Sequence, residues 1–489
     1  MRKIKYEDLK LGEKAKESFL SGTSFEELNE RSPIYLNTRP VVAGLNVTDL
    51  AIAGVLGGLN MILAGKPGCG KSQLAHDIHN YYFGGNVSEH NGHAVSIRGY
   101  DGLDLYAEHY AMPQKSSDGQ TEKFNLVPNM PVIRALFHHV DEINRCHGKA
   151  QNQFLAIGDG SLLLPGTPAL RVGDETTGYH TGMATANMEN GDFVGVYQMD
   201  PALLNRFIVL DLNKLKPRQE DLCIMDHLND SDANVKETPR QNGLVPLILQ
   251  ANAEIRNSTR NLGIEASAAI DYLTMGLANC RLLGEKDEEL AFSPCQTCKY
   301  KDEGSELSIC SQINPLPIRT KEALKKYVAS LDYLAKLKNP NIKVNPADLV
   351  FKAFEFVGAN QGILNPYIVN GKYAGRDSRM LVDISEKLKS DFVKNQDYIC
   401  TAIEAAREEG REVKDFYQTD FQTEEGQISV DFSGLPEHLQ EKVTKIESLH
   451  NDRPVGLGWV TSARVPVELA CREARIKREK AKSKKSGGK

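Results

Sequence analysis

Several features that would assign the chain to a special class are absent from its sequence. No segment repeats along the chain, which argues against solenoid and propeller folds. The longest apolar stretch, residues 50–65, is interrupted by glycines and by Asn60 and is shorter than the ~18 residues that a membrane-spanning helix needs. The first residues hold no apolar core of the kind that a signal peptide requires. We therefore predict no membrane span and a cytoplasmic location.

A strong net charge and an even set of cysteines are also lacking. The formal charge of the 489 residues is −6, which argues against a protein that coats nucleic acid through its total charge. Positive charge is concentrated in residues 471–489, which hold nine lysines and arginines against two glutamates. The nine cysteines are an odd number in a long chain, so a disulfide scaffold is not expected.

What remains is the composition of a globular protein with more than one domain. Hydrophobic residues make up 40% of the chain and charged residues 25%, so the chain can bury substantial cores. At ~150 residues per domain, its length corresponds to about three domains.

A glycine-rich phosphate loop is the strongest motif. Residues 59–64 have the pattern of a short buried strand, residues 73–82 that of a helix, and GKPGCGKS lies between them. The glycines let the backbone wrap around a β-phosphate, and the helix adds its positive amino end. Lys71 would contact the β- and γ-phosphates, while the Ser72 hydroxyl would hold Mg²⁺. We expect nucleotide contacts from Gly65, Lys66, Pro67, Gly68, Cys69, Gly70, Lys71, Ser72 and Gln73.

An acidic pair follows about 70 residues later. Residues 132–140 have the pattern of a strand, and Asp141 and Glu142 come directly after it. Asp141 would hold Mg²⁺, and Glu142 would polarise the water that attacks the γ-phosphate. His138 and His139 lie within the predicted strand, away from its phosphate end, so we interpret both as structural.

Two further side chains complete the predicted chemistry. Residues 182–187 form another short strand pattern that ends in Asn187, which could orient the attacking water beside Glu142. Arg206, between a short helix and the strand at residues 208–212, is the candidate arginine finger. A salt bridge at a helix end is the alternative interpretation of Arg206.

These motifs together resemble the AAA+ ATPases and, within them, the MoxR branch. The matching segments are GKPGCGKS, FHHVDEINR, ATAN and LLNRF. The resemblance covers residues 41–213 well and continues more weakly to about residue 357. It implies a P-loop core with a parallel sheet, with Lys71 and Ser72 as Walker A contacts, Asp141 and Glu142 as Walker B and Asn187 as sensor 1.

The resemblance also implies partners. MoxR-like proteins are hexameric ATPases that remodel protein clients, often with a von Willebrand A-domain partner, and Arg206 would reach a neighbouring subunit's nucleotide. McrB-type GTPases also contain DEINR, so this motif does not decide between ATP and GTP. The preference for ATP is implied only by the resemblance to MoxR-like ATPases.

A helical lid is predicted after the core. Helical patterns cover residues 219–227, 244–255, 266–280 and 321–335, and another helix opens at residues 344–348. By the family's pattern Arg319 would be the second sensor, although the Ser-Pro that precedes this arginine in the family is missing. Arg260 and Arg464 are the alternatives.

Four cysteines fall within this lid. Cys280, Cys295, Cys298 and Cys310 have the spacing C-x14-C-x2-C-x11-C in a polar, loop-like segment. A Cys-x2-Cys turn with two more thiolates suits a structural Zn²⁺ site that would pin the insert at residues 280–310, with an iron–sulfur cluster as the alternative.

The remaining chain is less informative. The predicted boundaries are an arm at 1–40, the nucleotide-binding core at 41–213, the lid at 214–357, a mostly helical region of unknown role at 358–470 and a basic tail at 471–489. In the last third, residues 358–375 look irregular, whereas residues 377–394 and 398–409 look like two helices.

The leading hypothesis is an ATP-hydrolysing ring that acts on a protein client. The alternatives are a DNA-associated McrB-like or helicase-loader-like module, which only the basic tail supports, and a scaffold that binds nucleotide without turnover. Glu142 and Arg206 argue against the scaffold.

Overall fold

The structure, a computed structural model, describes the greater part of the chain. The described ranges are residues 37–84, 93–117, 122–164, 168–187, 197–221, 244–276, 309–314, 316–359, 361–408, 422–424 and 427–429. The chain divides into two compact units. The first comprises Met1–Asn261, Glu322–Asn345 and Phe356–Gly362; the second comprises Leu262–Lys321, Pro346–Glu355 and Ile363–Lys489.

Helices and strands alternate in the first unit, and helices dominate the second. The helices are α1 (Val47–Gly57), α2 (Lys71–Ile78), α3 (Met130–Ile133), α4 (Gly148–Gln153), α5 (Leu155–Asp159), α6 (Pro201–Leu204), α7 (Val245–Arg260), α8 (Ile264–Asp271), α9 (Ile309–Gln312), α10 (Ile318–Lys338), α11 (Pro346–Val357), α12 (Pro366–Tyr373) and α13 (Asp377–Glu408). The strands are β1 (Met61–Ala64), β2 (Ala94–Arg98), β3 (Ala111–Ser117), β4 (Glu122–Pro128), β5 (Phe137–Asp141), β6 (Ser161–Leu162), β7 (Leu170–Arg171), β8 (Thr181–Ala186), β9 (Ile208–Asp211), β10 (Gln422–Glu424) and β11 (Gln427–Ser429).

A five-stranded parallel sheet forms the centre of the first unit. Its strand order is β2-β5-β8-β1-β9, and all four pairings are parallel. β1 and β8 are buried along their whole length, as expected for central strands with both faces covered. The α/β fold with a parallel sheet, followed by a mostly helical region, is confirmed.

Helix α1 is fixed at both ends by its own sequence. Asn46 and Asp49 form a reciprocal capping box at its start, and Gly58 ends it in the left-handed conformation. Every residue of α1 is buried, and Lys338 pairs with the Asp49 carboxylate at 2.7 Å. Helix α1, which precedes the strand of the phosphate loop, is therefore a core element.

Several predicted boundaries were wrong in detail. The strand predicted from residue 132 begins only at Phe137, because Val132 and Ile133 belong to α3, which carries Pro131 in its first turn. The segment after the acidic pair forms two short helices, α4 and α5. The helix predicted at residues 266–280 starts at Ile264 and continues past Asp271 as a π-helical turn to Gly276, while its predicted end at residue 280 lies outside the described residues.

Two predictions for the second unit were also wrong. Residues 358–375 are not irregular throughout, since α12 lies within them, with Asn365 as its cap and Pro366 at its first position. The two helices predicted at 377–394 and 398–409 are one helix, α13, of 32 residues.

An aromatic cluster contributes to the core of the second unit. The centroid of the Phe392 ring lies 5.3 Å from that of Tyr272 and 5.7 Å from that of Phe351. Ser385 on α13 donates its hydroxyl to the Phe351 carbonyl at 2.8 Å, so the polar group is satisfied inside the apolar cluster.

Two hairpins in the first unit lie outside the central sheet. β3 and β4 pair antiparallel from Ala111–Pro128 to Ser117–Glu122, and β6 pairs with β7 over two residues. The sequence patterns above did not predict either hairpin. Among the described helices, none is both long enough and apolar enough to cross a membrane.

Candidate nucleotide site

The predicted site residues of the core meet at one edge of the central sheet. β1, β2, β5, β8 and β9 all end there because they are parallel, and the register pairs Ala64 with Ala186 and Arg98 with Asp141. In open parallel sheets, this carboxyl edge is where ligands bind. The strand that ends before Asn187 lies between the strand of the phosphate loop and the strand of Asp141.

The phosphate loop has the backbone that its glycines allow. Gly68 and Gly70 adopt φ angles of 79° and 85°, in the left-handed region that glycine tolerates best. The Lys71 side chain is buried, and its ammonium donates to the carbonyls of Gly65 at 2.9 Å and Lys66 at 2.8 Å. The Lys71 ammonium thus closes the phosphate loop on itself through these two hydrogen bonds, and phosphate oxygens could replace the two carbonyls as acceptors.

Ser72 and Asp141 are in direct contact. The Ser72 hydroxyl donates to Asp141 Oδ1 at 2.8 Å, and the Thr185 hydroxyl donates to the same oxygen at 2.7 Å. Burial acts to raise the pKa of Asp141, but these two hydrogen bonds, together with nearby histidines, outweigh it and hold the pKa below its ordinary value. Asp141 is therefore a carboxylate at neutral pH.

Glu142 has an unusual backbone for a residue other than glycine. Its φ and ψ are 54° and 47°, a left-handed conformation that costs free energy and is often kept at functional sites. Its N–H donates to Thr185 Oγ1 at 2.8 Å, and its carbonyl accepts from Arg145 N at 2.9 Å. A Cβ atom at Gly99 would lie 2.4 Å from the Glu142 carbonyl oxygen, so only glycine fits there without movement.

The Glu142 carboxylate has a partner in its own turn. Arg145 contacts Glu142 Oε1 at 2.9 Å, and the Arg145 side chain is half exposed. This ion pair leaves the carboxylate near the sheet edge while neutralising part of its charge.

Asn187 is anchored through its backbone rather than its side chain. Its carbonyl accepts from Asn144 Nδ2 at 2.8 Å, and its N–H donates to Asn144 Oδ1 at 3.4 Å. Among the described residues no partner hydrogen-bonds to Asn187 Oδ1, although this atom is buried. A buried amide oxygen without a partner is suited to accept from a bound water or ligand.

Arg206 is engaged within its own chain. Its Nε pairs with Asp159 at 2.7 Å and a terminal nitrogen contacts the Ala202 carbonyl at 2.5 Å. Its alkyl chain packs on Gly158, where a Cβ atom would lie 2.7 Å from Arg206 Cδ. This matches the alternative interpretation, the helix-end salt bridge, and a role as a finger stays a prediction.

The sequence patterns missed several residues that shape the site. Asn213, just after β9, accepts from Lys66 N at 3.0 Å through Oδ1 and so fixes the start of the phosphate loop. Thr185, Gly99 and Asn144 position the two acidic residues and Asn187, as described above. A polar residue within three positions of the carboxyl end of a parallel strand is the signal that could have identified Asn213 and Asn144.

His138 and His139 are both buried in β5. Burial lowers the pKa of His138 to about 4 and that of His139 to about 3, so both are neutral at physiological pH. His138 lies with one ring nitrogen 3.1 Å from the Val132 carbonyl, and His139 lies 3.1 Å from the Ser96 hydroxyl. These contacts agree with a structural role.

The predicted cysteine site falls mainly outside the described residues. Cys280, Cys295 and Cys298 are not among them, and of Cys310 only the backbone, in α9, is described. Within the described part of the chain, no three His, Cys, Asp or Glu side chains are arranged to hold a metal ion. Arg319 is exposed in the first turn of α10 and belongs to the second unit. The Zn²⁺ site and the second sensor stay predictions.

The oxygens at the sheet edge fit Mg²⁺. This cation prefers a few carboxylate or hydroxyl oxygens together with substrate phosphates, rather than a closed protein cage. Ser72 Oγ and Asp141 Oδ1 supply two such oxygens beside the phosphate loop.

Comparisons with known proteins found similarity among solved structures. No protein-family model matches the chain, and no curated protein matches it. A crystal structure of a proposed ATPase from Cytophaga hutchinsonii is 16% identical, with a TM-score of 0.46. The match covers 69% of this chain and 87% of that chain.

Proposed function

We propose that the first unit binds ATP with Mg²⁺ and hydrolyses its terminal phosphoanhydride bond. The observation that carries the proposal is the direct contact of Ser72 with Asp141, which joins the phosphate loop to an acidic strand end. Glu142 follows Asp141 immediately. The buried amide oxygen of Asn187 comes directly after β8, the strand between β1 and β5.

The side chains would divide the work as follows. Lys71 would exchange its two loop carbonyls for phosphate oxygens, and the loop N–H groups would bind the β-phosphate. Ser72 and Asp141 would hold Mg²⁺, which when bound supplies positive charge to the phosphate oxygens. Glu142 would accept a hydrogen bond from the attacking water, and Asn187 would orient that water.

Two ion pairs hold predicted catalytic side chains away from the roles that the proposal gives them. The Glu142 carboxylate is held by Arg145 and the Arg206 guanidinium by Asp159, so each would have to change partner for turnover. A ring oligomer, with Arg206 as a finger acting in trans, is part of the proposal because the resemblance to MoxR-like ATPases implies it.

The finer assignment follows the resemblance to MoxR-like AAA+ ATPases. It implies a hexamer that remodels a protein client, often together with a von Willebrand A-domain partner, and Arg319 as the second sensor. A DNA-associated module is the second candidate, because residues 471–489 carry a surplus of seven positive charges. Salt-dependent DNA binding that is lost when this tail is deleted would favour it.

A structural metal in the cysteine segment is a separate proposal. The C-x2-C turn at residues 295–298, with Cys280 and Cys310, would bind Zn²⁺ through four thiolates and so fix the insert. Metal analysis of the purified protein distinguishes zinc from iron with sulfide.

The proposed activity is tested by release of inorganic phosphate from ATP and from GTP, with and without Mg²⁺. Lys71→Ala should abolish release and weaken nucleotide binding, because the loop loses its only buried cation. Lys336→Ala, which removes an exposed lysine of α10, serves as the matched control and should leave release unchanged. Equal release by Lys71→Ala and the parent, at equal thermal stability, would exclude this site.

A further inference from the structure

One buried hydroxyl touches both acidic residues of the site. We propose that Thr185 is a positioning residue that fixes the Mg²⁺-binding carboxylate and the backbone of the base at the same time. The inference rests on the proposed function, because it assigns roles to Asp141 and Glu142. It concerns a residue that lies two positions before Asn187, within the matching segment ATAN, and to which the resemblance assigned no role.

The hydrogen bonds of Thr185 have defined directions. Its hydroxyl donates to Asp141 Oδ1 at 2.7 Å and accepts from Glu142 N at 2.8 Å. A hydroxyl has one donor and two acceptor sites, so both bonds form together without conflict. Thr185 is 1% exposed, and water therefore has little access to replace either bond.

The sheet register explains why a side chain is needed at this point. The pairing of β5 with β8 ends at Val140 and Ala184, one residue before Asp141. Glu142 then turns into the left-handed conformation, in which its N–H no longer follows the strand. The Thr185 hydroxyl takes over as the acceptor for that N–H, so it continues the attachment of the acidic pair to β8.

The second bond acts on the metal-binding oxygen. Asp141 Oδ1 accepts from both Ser72 and Thr185. When Ser72 turns its oxygen towards Mg²⁺, the bond from Thr185 would still hold the carboxylate in place. Hydrogen-bond partners of metal ligands typically change metal affinity or activity about 10- to 100-fold when they are removed.

The same strand offers a matched control. Thr181 lies four residues earlier on β8, is fully buried, and donates its hydroxyl to the Leu59 carbonyl at 2.6 Å. It lies on the same face of the strand as Thr185 but at the opposite end, away from the acidic pair. Thr181→Val therefore removes a buried hydroxyl hydrogen bond of the same strand without touching the site.

The test compares Thr185→Val, Thr185→Ser and Thr181→Val in the full chain. The readouts are thermal stability, the Mg²⁺ concentration for half-maximal binding of a fluorescent ATP analogue, and kcat and KM for phosphate release. Thr185→Val should raise the required Mg²⁺ and lower kcat, each about 10-fold or more, while KM for ATP at saturating Mg²⁺ changes little. Thr185→Ser, which keeps the hydroxyl, should restore both values to near those of the parent.

Thr181→Val should lower thermal stability and leave both the Mg²⁺ dependence and kcat unchanged. The inference is overturned if Thr185→Val keeps the parent's Mg²⁺ dependence, or if Thr181→Val shifts it equally. If Thr185→Val does not fold, Thr185→Ala and Thr181→Ala replace the valine pair with the same expectations. If the parent binds the analogue but releases no phosphate, the proposed hydrolysis fails, and the Mg²⁺ dependence of binding alone decides the role of Thr185.

Discussion

At the scale of single residues, the core combines buried polar groups with an acidic, strained turn. His138 and His139 occupy neighbouring positions of β5, and His180 directly precedes β8. Burial lowers the pKa of all three, to about 4 for His138, about 3 for His139, and well below the ordinary value for His180. Each ring is therefore packed in its neutral form at pH 7, and each would have to acquire a charge inside the core on acidification.

Because these histidines are buried in the neutral form, we expect the free energy of unfolding to fall in mild acid. A group whose pKa is lower in the folded than in the unfolded chain binds more protons when unfolded, so stability falls as pH falls. For His138 the window runs from the unfolded value, 6.5, down to about 4. Over this window the free energy of unfolding should fall by about 3 kcal/mol, at 1.36 kcal/mol per pKa unit.

His138→Gln should flatten this acid dependence. The glutamine amide does not titrate and can still donate to the Val132 carbonyl, the contact that His138 makes. We expect lower stability than the parent at pH 7.5, because the packing changes, but a smaller further loss between pH 6.5 and pH 4. Urea unfolding at several pH values measures both. An unchanged slope in the variant would show that His138 is not neutral in the folded protein.

At the scale of helices and strands, elements with a regular apolar pattern were predicted, whereas the short helix before β5 was not. The strand before Gly65, the helix after it and the acids at the end of β5 follow from apolar runs flanked by glycine or by polar residues. The start of β5 was misplaced because Pro131 and the apolar residues after it suit a short helix as well as a strand. Periodicity alone does not separate short apolar runs of these two kinds.

The site could be predicted only as far as its motifs reach. Lys71, Ser72, Asp141 and Glu142 belong to spacings that the chemistry of phosphate binding requires. Thr185 and Gly99 act through contacts that strands far apart in sequence make with each other, at separations of 43 or more residues. Thr185 lies in the matching segment ATAN and Gly99 directly follows β2, but neither local sequence shows which distant residue each of them contacts.

At the scale of the whole molecule, the proposal is a site that neighbouring subunits complete. Arg206 bonds to Asp159 and Ala202 of its own chain, so it contributes to catalysis only if it leaves this pair. A transition-state arginine in related phosphoryl transfer is worth about 10³-fold or more in rate.

Arg206→Ala should therefore bind ATP but lose most of its phosphate release. In a mixture with Lys71→Ala, intact nucleotide sites of the first variant would meet intact arginines of the second, so release should partly recover. Arg134→Ala, which removes an exposed ion pair with Glu175, is the control and should behave like the parent. Full activity of Arg206→Ala alone would contradict a finger, and absence of recovery in the mixture would contradict its action between subunits.

The most direct test of the central claim is phosphate release by Glu142→Gln. This change keeps the shape of the side chain and removes the base, while the phosphate loop and Asp141 are untouched. With Mg²⁺, the variant should bind an ATP analogue as tightly as the parent but release phosphate about 10²- to 10³-fold more slowly. Glu175→Gln, at an exposed glutamate, should release phosphate at the parent's rate. Equal rates for Glu142→Gln and the parent would contradict the account.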